Sequence, residues 1–484
     1  MNNRYQISPL KRALSSVGMI TAMAAWSGAA IAADNTSSGT MTKAELTQMV
    51  KSLAAQNKLL QEKVEKIEAA QAQQSAQVQQ QAAQVQQQSA QVQQQAQAVM
   101  QVQQDVKAAA EKTIPANVEH SSTTVSGYGE IGYTRPSKSP KDTTADVQRA
   151  VIQLNHQFDE KTKVVAEFEW EHAITSSSDK GEAEVEQLWV EREFQPNLRG
   201  RAGLFLMPVG LVNQNHEPTA YYGVYRPEVD TKIIPSTWRE VGIGLSGDLA
   251  GGLTWDAALT TMPNLSKWDA TSTEGKERGP LQSIHGEGQY AAARDLGGVV
   301  ALNWRGVPGL LLGGSVVYGS IGQHQQDFLG NASNLLMLDL HARYQIQKLD
   351  LAAEVIRSTI SHTEPLNSSF AASSIVNPTL VPNLFYGGYV QAGYRAWEHS
   401  DYVLKPFVRY SILNTAASFG SLPVAAGNIK SPDEKIWTIG ANLDIGEGVV
   451  LKADYRWNKL NKLPDTVDHF NLGNSLNLGV GFAF

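Results

Sequence analysis

After Thr123 the chain is a long series of short alternating segments, and this alternation constrains its fold more than any other feature. Apolar and polar residues alternate with a period of two, which is typical of strands that have one apolar and one polar face. In the segment 449–457, Lys452, Asp454 and Arg456 share one face, and the apolar and aromatic residues share the other. Sixteen segments fit this pattern: 123–135, 147–158, 161–173, 184–194, 198–206, 239–249, 252–262, 296–305, 309–320, 334–346, 349–360, 384–397, 401–413, 434–445, 448–459 and 474–484.

The connections between these segments alternate strictly between short and long. The long ones are 136–146, 174–183, 207–238, 263–295, 321–333, 361–383, 414–433 and 460–473. A soluble sandwich gives no reason to place every long loop at one end, whereas outer-membrane barrels have short turns on one side and long loops on the other. An even number of strands also closes the barrel and removes its edges. We therefore predict an all-β transmembrane barrel of 16 antiparallel strands over 123–484, preceded by an α-helical coiled coil.

The N-terminus has the organisation of a secretory signal peptide. Arg4, Lys11 and Arg12 precede a run of apolar or small residues, and Ala30 and Ala32 offer small residues at a cleavage site. We predict a signal peptide at 1–32; the alternative is a membrane anchor. The chain contains no cysteine, which excludes disulfides, thiolate metal sites and a thiol nucleophile.

A heptad pattern follows the predicted signal peptide. Leucine or isoleucine recurs every seven residues from Leu46 to Ile67, and valine recurs at the same spacing from Val78 to Val106 through a glutamine-rich segment. This spacing predicts a coiled coil at 42–112 and a linker at 113–122; the alternative is a disordered glutamine-rich linker. The residues in the core of the coiled coil favour two helices by the usual rule for branched residues at a and leucine at d, but the glutamine layers do not decide between two and three helices.

The third long connection, 207–238, is unusually apolar for an external loop and contains four prolines. We predict that it folds into the lumen and constricts it; the alternative is an external loop packed on a neighbouring subunit. The residues predicted at the constriction are His216, Glu217, Tyr221, Tyr222, Tyr225, Arg226 and Lys232.

A barrel of sixteen strands is too wide for side chains to fill, so it leaves an aqueous channel. The period of two assigns the lumen face. The predicted pore-lining basic residues are Arg149, Arg199, Arg201, Arg343, Arg395, Lys405, Arg409, Lys452 and Arg456. The predicted pore-lining acidic residues are Glu167, Glu169, Glu171, Asp339, Glu354 and Asp454. Clusters of one sign predict a transverse field that orients dipolar or anionic solutes; the alternative is the mixed solvated charge of any wide pore.

Four segments resemble the phosphate-selective porin O/P family of Gram-negative outer membranes. They are TVSGYGEIGYTR at 124–135, RAGLFLMPVG at 201–210, HEP at 216–218 and PSTWREVGIGLSG at 235–247, and the chain ends on the aromatic Phe484. The resemblance implies a homotrimer in outer-membrane lipid, a terminal strand that is read by the barrel-assembly machinery, and passage of phosphate. That family uses a lysine cluster at the constriction, where this chain has only Arg226 and Lys232.

The sequence as a whole predicts an outer-membrane porin for passive diffusion of small hydrophilic solutes, in particular anions such as phosphate, with its coiled coil in the periplasm. The alternative is a structural protein whose coiled coil contacts peptidoglycan and spaces the membrane from the cell wall. We predict no enzyme activity, because no G-x-S-x-G motif or Ser/His/Asp spacing is present. No catalytic residue, metal site or cofactor is predicted, and the near-balanced charge of the coiled coil argues against nucleic acid.

Overall fold

A computed structural model describes residues 121–179, 181–420, 433–460 and 473–484, together with Lys51 and Lys58. The chain divides into two units, Met1–Asn117 and Val118–Phe484. In the first unit, Lys51 and Lys58 are helical and exposed. The predicted signal peptide, the rest of the coiled coil and most of the linker lie outside the described residues.

The second unit is built from strands. They are β1 Ser122–Pro136, β2 Thr144–Gln157, β3 Thr162–Glu171, β4 Ala183–Gln195, β5 Leu198–Leu206, β6 Arg239–Leu249, β7 Leu253–Thr260, β8 Gly297–Trp304, β9 Leu310–Ser320, β10 Asn334–Ile346, β11 Leu349–Ile360, β12 Leu384–Tyr394, β13 Trp397–His399, β14 Tyr402–Ser418, β15 Glu434–Ile445, β16 Val449–Leu460 and β17 Ser475–Ala483. The short β13 continues β12, since β14 pairs with both of them. The wall therefore has sixteen strands.

Each strand pairs with its neighbours in an antiparallel register, and β1 pairs with β17 to close the sheet. This last pairing runs from Tyr128 opposite Ala483 to Pro136 opposite Ser475. Beyond it, the Phe484 amide donates to the Gly127 carbonyl at 2.9 Å, and the Gly127 amide donates back at 3.1 Å. The prediction of a closed antiparallel barrel of sixteen strands is confirmed.

The connections have the predicted alternation. The short ones are 158–161, 196–197, 250–252, 305–309, 347–348, 400–401 and 446–448. The long ones contain short helices at Pro140–Asp142, Val229–Lys232, Leu265–Lys267, Glu274–Glu277 and Glu364–Ala372. Strand ends differ from the prediction by a few residues, most at β14, which extends to Ser418 instead of residue 413. There the register with β12 shifts between Leu384 and Tyr386, and period counting cannot detect such an irregularity.

The outer face of the wall is apolar and exposed. On β6 and β10 the exposed side chains include Ile243, Leu245, Leu338 and Leu340, and alternate residues on each strand point inward. Large exposed aromatic side chains lie near both strand ends: Phe158, Phe194, Tyr394 and Tyr402 near the short turns, and Trp170, Tyr318, Trp437 and Trp457 near the long loops. Aromatic belts of this kind flank the lipid-facing band of membrane barrels. No helix among the described residues is long and apolar enough to cross a membrane.

The apolar core lies inside the barrel, where the third long connection meets the inner wall. Val229, Ile233 and Ile234 of that connection are fully buried. They share one cluster with wall residues such as Val317 and Ile356. The inner wall is therefore part polar and part apolar, and its apolar part is covered by the loop.

Candidate functional site

The third long connection, residues 207–238, leaves β5 and returns to β6 through a closed neck. The Met207 amide donates to the Trp238 carbonyl at 2.9 Å. The Asn213 side-chain amide donates to the carbonyls of Met207 and Trp238 at 2.8 and 2.9 Å. The Asn213 side-chain oxygen Oδ1 accepts from the Trp238 amide at 2.7 Å. One buried asparagine thus satisfies both ends of the loop, which fixes its direction as it leaves the wall.

The middle of the loop is bonded to the strands beside the β1–β17 closure. The Tyr221 hydroxyl donates to Glu130 on β1 at 2.6 Å. The Val224 amide donates to Asp454 on β16 at 2.7 Å. The Asn442 side chain on β15 bonds both to the Gly223 amide and to the Tyr221 carbonyl, each at 3.1 Å.

The first part of the loop is bonded to a different arc of the wall. The Gly210 amide donates to Asp339 on β10, and the Leu211 amide donates to Glu354 on β11, each at 3.2 Å. β1 and β10 lie on nearly opposite sides of the closed sheet, so contacts to both of them place the loop across the lumen.

Glycines on the inner wall make room for the loop. A Cβ atom on Gly481 would lie 2.5 Å from Pro218, and one on Gly393 would lie 2.5 Å from the Tyr222 ring. A side chain at either position would collide with the loop, since real Cβ contacts are essentially never shorter than 3.0 Å. The wall and the loop are therefore complementary in shape.

The predicted constriction residues divide into two groups. His216, Tyr221 and Tyr222 are buried against the wall, and burial followed by the charge of Glu130 raises the pKa of Tyr221. Glu217, Tyr225, Arg226 and Lys232 are half-buried. Of these, Arg226 donates to the hydroxyls of Ser236 and Thr237, Lys232 pairs with Glu434 at 3.0 Å, and Tyr225 lies 2.5 Å from the Thr134 hydroxyl.

The structure pairs most of the predicted pore-lining cations with carboxylates. The pairs are Arg149 with Glu130, Arg199 with Asp248, Arg201 with Asp256, Arg343 with Asp350, Arg395 with Glu398, Lys405 with Asp444, and Arg456 with Glu228. Within the described part of the chain, no carboxylate lies within 4.0 Å of the other two, Arg409 and Lys452. Arg409 donates to the carbonyls of Tyr222 and Tyr225, and the Lys452 ammonium lies 3.6 Å from the centre of the Tyr221 ring. Most of these cations therefore stabilise the wall or the loop through direct contacts, and few of them present an unpaired charge to the lumen.

The predicted acidic residues have a related placement. Asp339, Glu354 and Asp454 are buried and accept the loop amides described above, whereas Glu171 is half-buried on the inner wall. Glu167 and Glu169 are buried on β3. Only β17, β1 and β2 separate β3 from Lys452 and Arg456 on β16. Lys452 and Arg456 therefore lie on an arc of the wall that neighbours the arc of Glu167 and Glu169, and not on the opposite side of the lumen.

A cavity of about 810 Å³ lies inside the barrel between the loop and the short turns. Five basic residues line it, Arg305, Arg343, Lys348, Arg395 and Lys405, against two acidic ones, Asp350 and Asp444. Arg305 and Lys348 are exposed, and among the described residues no carboxylate lies within the 4.0 Å of an ion pair to either. Sequence reasoning missed both. Lys348 lies in a turn, where a period of two assigns no face, and Arg305 is the last residue of the predicted segment 296–305, whose strand ends at Trp304 in the structure.

A second cavity, of about 530 Å³, lies on the long-loop side. Seven acidic residues line it, Glu169, Glu171, Asp179, Glu182, Glu184, Glu274 and Glu287, against Arg239 and Arg278. Arg239 is buried and bonds to Glu184 at 2.5 Å and to Glu287 at 3.2 Å. The two sides of the loop therefore differ in charge, basic toward the short turns and acidic toward the long loops.

Among proteins of known structure, this chain is similar to OmpF of Salmonella typhi, determined in complex with daunomycin. The two are 15% identical, with a TM-score of 0.52, over 75% of this chain and 97% of OmpF. This likeness assigns the chain the fold of an outer-membrane porin. Two other matches are the anion-selective porin of Comamonas acidovorans (12% identity, TM-score 0.46, covering 75% and 100%) and the outer-membrane channel DcaP of Acinetobacter baumannii (11% identity, TM-score 0.48, covering 77% and 99%).

In sequence, the chain is 26% identical to an uncharacterized protein of Aquifex aeolicus over 334 residues, which is 68% of this chain and 74% of that protein. No model of a known protein family matches.

Proposed function

We propose that this protein is an outer-membrane porin through which small hydrophilic solutes diffuse passively, and that residues 207–238 constrict its lumen. The closed barrel with an apolar outer face supports a membrane location, since only helices and closed barrels satisfy every backbone group in lipid. The loop that crosses the lumen, with a cavity on each side, supports a channel with a narrow section. By analogy with porins, the protein is a homotrimer in the outer membrane of a Gram-negative bacterium.

The solute preference that we propose is for anions of the phosphate class. The observation that carries it is the basic cavity on the short-turn side, with the exposed and unpaired Arg305 and Lys348. Most of the cations predicted from sequence are neutralised by partners, so these two contribute most of the uncompensated field in that cavity. Positive charge in a confined channel raises the local concentration of anions.

A planar-bilayer recording in a potassium chloride gradient tests the proposal. The expected result is discrete conductance steps with an anion-selective reversal potential, and a chloride current that inorganic phosphate blocks in a concentration-dependent way. The double substitution Arg305→Gln and Lys348→Gln should move the reversal potential toward the cation side and weaken the block.

Lys161→Gln is the matched control, because Lys161 is an exposed turn residue on the same side and does not line the cavity. A cation-selective reversal potential in the unsubstituted protein would overturn the anion preference. Absence of any discrete conductance would overturn the porin itself.

A further inference from the structure

A buried cluster of one imidazole and two carboxylates joins the third loop to the wall. Glu167 on β3, Glu186 on β4 and His216 of the loop each direct one ligand atom to a common point, and these atoms lie within 4.8 Å of one another. Their exposed fractions are 3%, 0% and 3%. The sequence predicted no metal site, and the channel proposed above does not need this cluster.

The hydrogen bond on the far side of the imidazole fixes its tautomer. His216 Nδ1 lies 2.9 Å from the Asn213 carbonyl oxygen, which can only accept, so Nδ1 carries a proton. In the neutral imidazole, Nε2 then has a lone pair, and it lies 3.0 Å from Glu186 Oε1, a second acceptor. Two acceptors held this close in a buried place need a positive charge between them, which is either a second proton on His216 or a bound metal ion.

The neighbouring side chains do not supply that cation. Tyr128 lies 2.7 Å from His216 Nε2 and 3.2 Å from a Glu186 oxygen, but its hydroxyl has only one proton to donate. In the part of the chain that the structure describes, no hydrogen-bond donor reaches Glu186 Oε1 apart from this imidazole edge. Glu167 accepts from the Gln187 amide, which is neutral.

The nearby guanidinium is engaged elsewhere. Arg149 bonds to Glu130 at 2.6 Å and to the His216 carbonyl at 2.5 Å, and it approaches Glu169 at 4.0 Å. One arginine thus faces two further buried carboxylates, and its ion pairs go to them and not to Glu167 or Glu186. Buried charge without a partner is costly, and a bound cation removes that cost.

We infer that Glu167, Glu186 and His216 bind a first-row divalent transition ion of the zinc class. One imidazole nitrogen and two carboxylate oxygens suit zinc, which uses three protein ligands of this kind with one further oxygen. The Tyr128 hydroxyl, 2.7 Å from His216 Nε2, lies where it can supply that oxygen. Calcium prefers six to eight oxygen ligands, so it fits this set poorly. The Nδ1 bond from His216 to a backbone carbonyl is the usual outer contact that orients a metal-binding histidine. An ion here ties the first half of the loop to β3 and β4.

Metal binding to the folded full-length chain in detergent tests the inference, with Co²⁺ as the spectroscopic probe and Zn²⁺ as the competitor. The expected result is one Co²⁺ bound per chain, with visible d–d absorption that Zn²⁺ abolishes. His216→Gln and Glu186→Gln should each weaken Co²⁺ binding at least about tenfold. Glu167→Gln, in which the loop residue stays intact, provides a third variant if either of the others fails to fold.

His341→Gln is the matched control. His341 is also buried beside a carboxylate, with Nδ1 2.9 Å from Asp339, but it has no second acid in such a cluster among the described residues. Co²⁺ binding by this variant should equal that of the unsubstituted chain. If the unsubstituted chain shows no saturable Co²⁺ or Zn²⁺ binding, or if His216→Gln binds as well as His341→Gln, the inference is wrong and a proton alone bridges His216 and Glu186. Neither outcome depends on channel activity, so the porin proposal is tested separately.

Discussion

Arg149 illustrates how single buried residues hold this barrel and its third loop together. It is almost fully buried, and it connects Glu130 on the neighbouring strand with the carbonyl of His216 on the loop. Removing one partner of a buried pair leaves an uncompensated charge, which costs far more than the pair itself contributes. The same reasoning separates Arg149 from surface cations such as Arg395, whose pair with Glu398 is long, at 3.8 Å, and exposed.

We expect Arg149→Gln to lower the free energy of unfolding by about 3–5 kcal/mol, because Glu130 would remain buried without its cation. Denaturant unfolding of the detergent-solubilised protein measures this change. Arg395→Gln is the control, with an expected change within about 1 kcal/mol. Equal effects of the two substitutions would contradict this interpretation.

Asp230 gives the loop a dependence on pH. Burial and then the charge of Asp339 raise the pKa of the Asp230 carboxyl from 3.8 to about 7. A carboxyl whose pKa is raised on folding holds its proton longer in the folded state, so stability falls as the pH rises from about 4 through 7. The charges of Arg409 and Arg226 oppose this rise in the pKa of Asp230, and the buried carboxyl of Glu354 interacts with that of Asp230.

We therefore expect Asp230→Asn to remove part of the loss of stability between about pH 4 and pH 7. Unfolding midpoints of the two proteins, measured across this range, give the difference, which includes the effect of the Asp230 charge on the buried Glu354. A gap between the two curves that stays constant with pH would contradict the assignment.

At the scale of elements, the third loop and the inner wall determine each other's shape. The loop is predictable as a segment because it is long, apolar and rich in proline. Its position is set by tertiary contacts, namely the amides that reach Asp339, Glu354 and Asp454 and the glycines beneath Pro218 and Tyr222.

We expect Gly481→Val to destabilise the folded protein by about 1–3 kcal/mol, since added atoms in a packed region force the neighbours to shift. Its side chain would meet Pro218 and displace the loop, so single-channel conductance should change as well. Gly298→Val is the matched control on β8, because its Cβ meets only the Ala258 carbonyl, at 3.7 Å. Both measurements should leave the control unchanged within about 0.5 kcal/mol and within the scatter of conductance.

At the scale of the whole molecule, the described part of the chain closes its sheet by pairing β1, which begins at Ser122, with β17. We therefore expect the role of the predicted coiled coil at 42–112 to be separable from that of the barrel.

Deletion of 42–112 should leave single-channel conductance unchanged. Cross-linking of the purified protein then measures its oligomeric state, and sedimentation with isolated peptidoglycan measures whether the protein binds the cell wall. Loss of trimers assigns the coiled coil to assembly, whereas intact trimers with lost sedimentation assign it to attachment. A change in conductance through intact trimers would contradict the separation of the two units.

The sequence by itself determined the barrel, because the alternation of side chains and the alternation of loop lengths are local properties that can be read along the chain. It also predicts a constricting loop and an inward face for each strand, with Arg149, Arg409 and Lys452 on that face. Only the tertiary structure decided which charges remain open, because ion pairs such as Arg201 with Asp256 depend on how separate strands are brought together. The same holds for Arg305 and Lys348, which lie in turns, and for His216, which meets Glu167 and Glu186 only after the loop has folded onto the wall. A hydropathy pattern indicates which side of a strand faces water. It does not indicate which side chains distant in sequence form ion pairs or hydrogen bonds, because the closure of the sheet and the folding of the loop bring those side chains together.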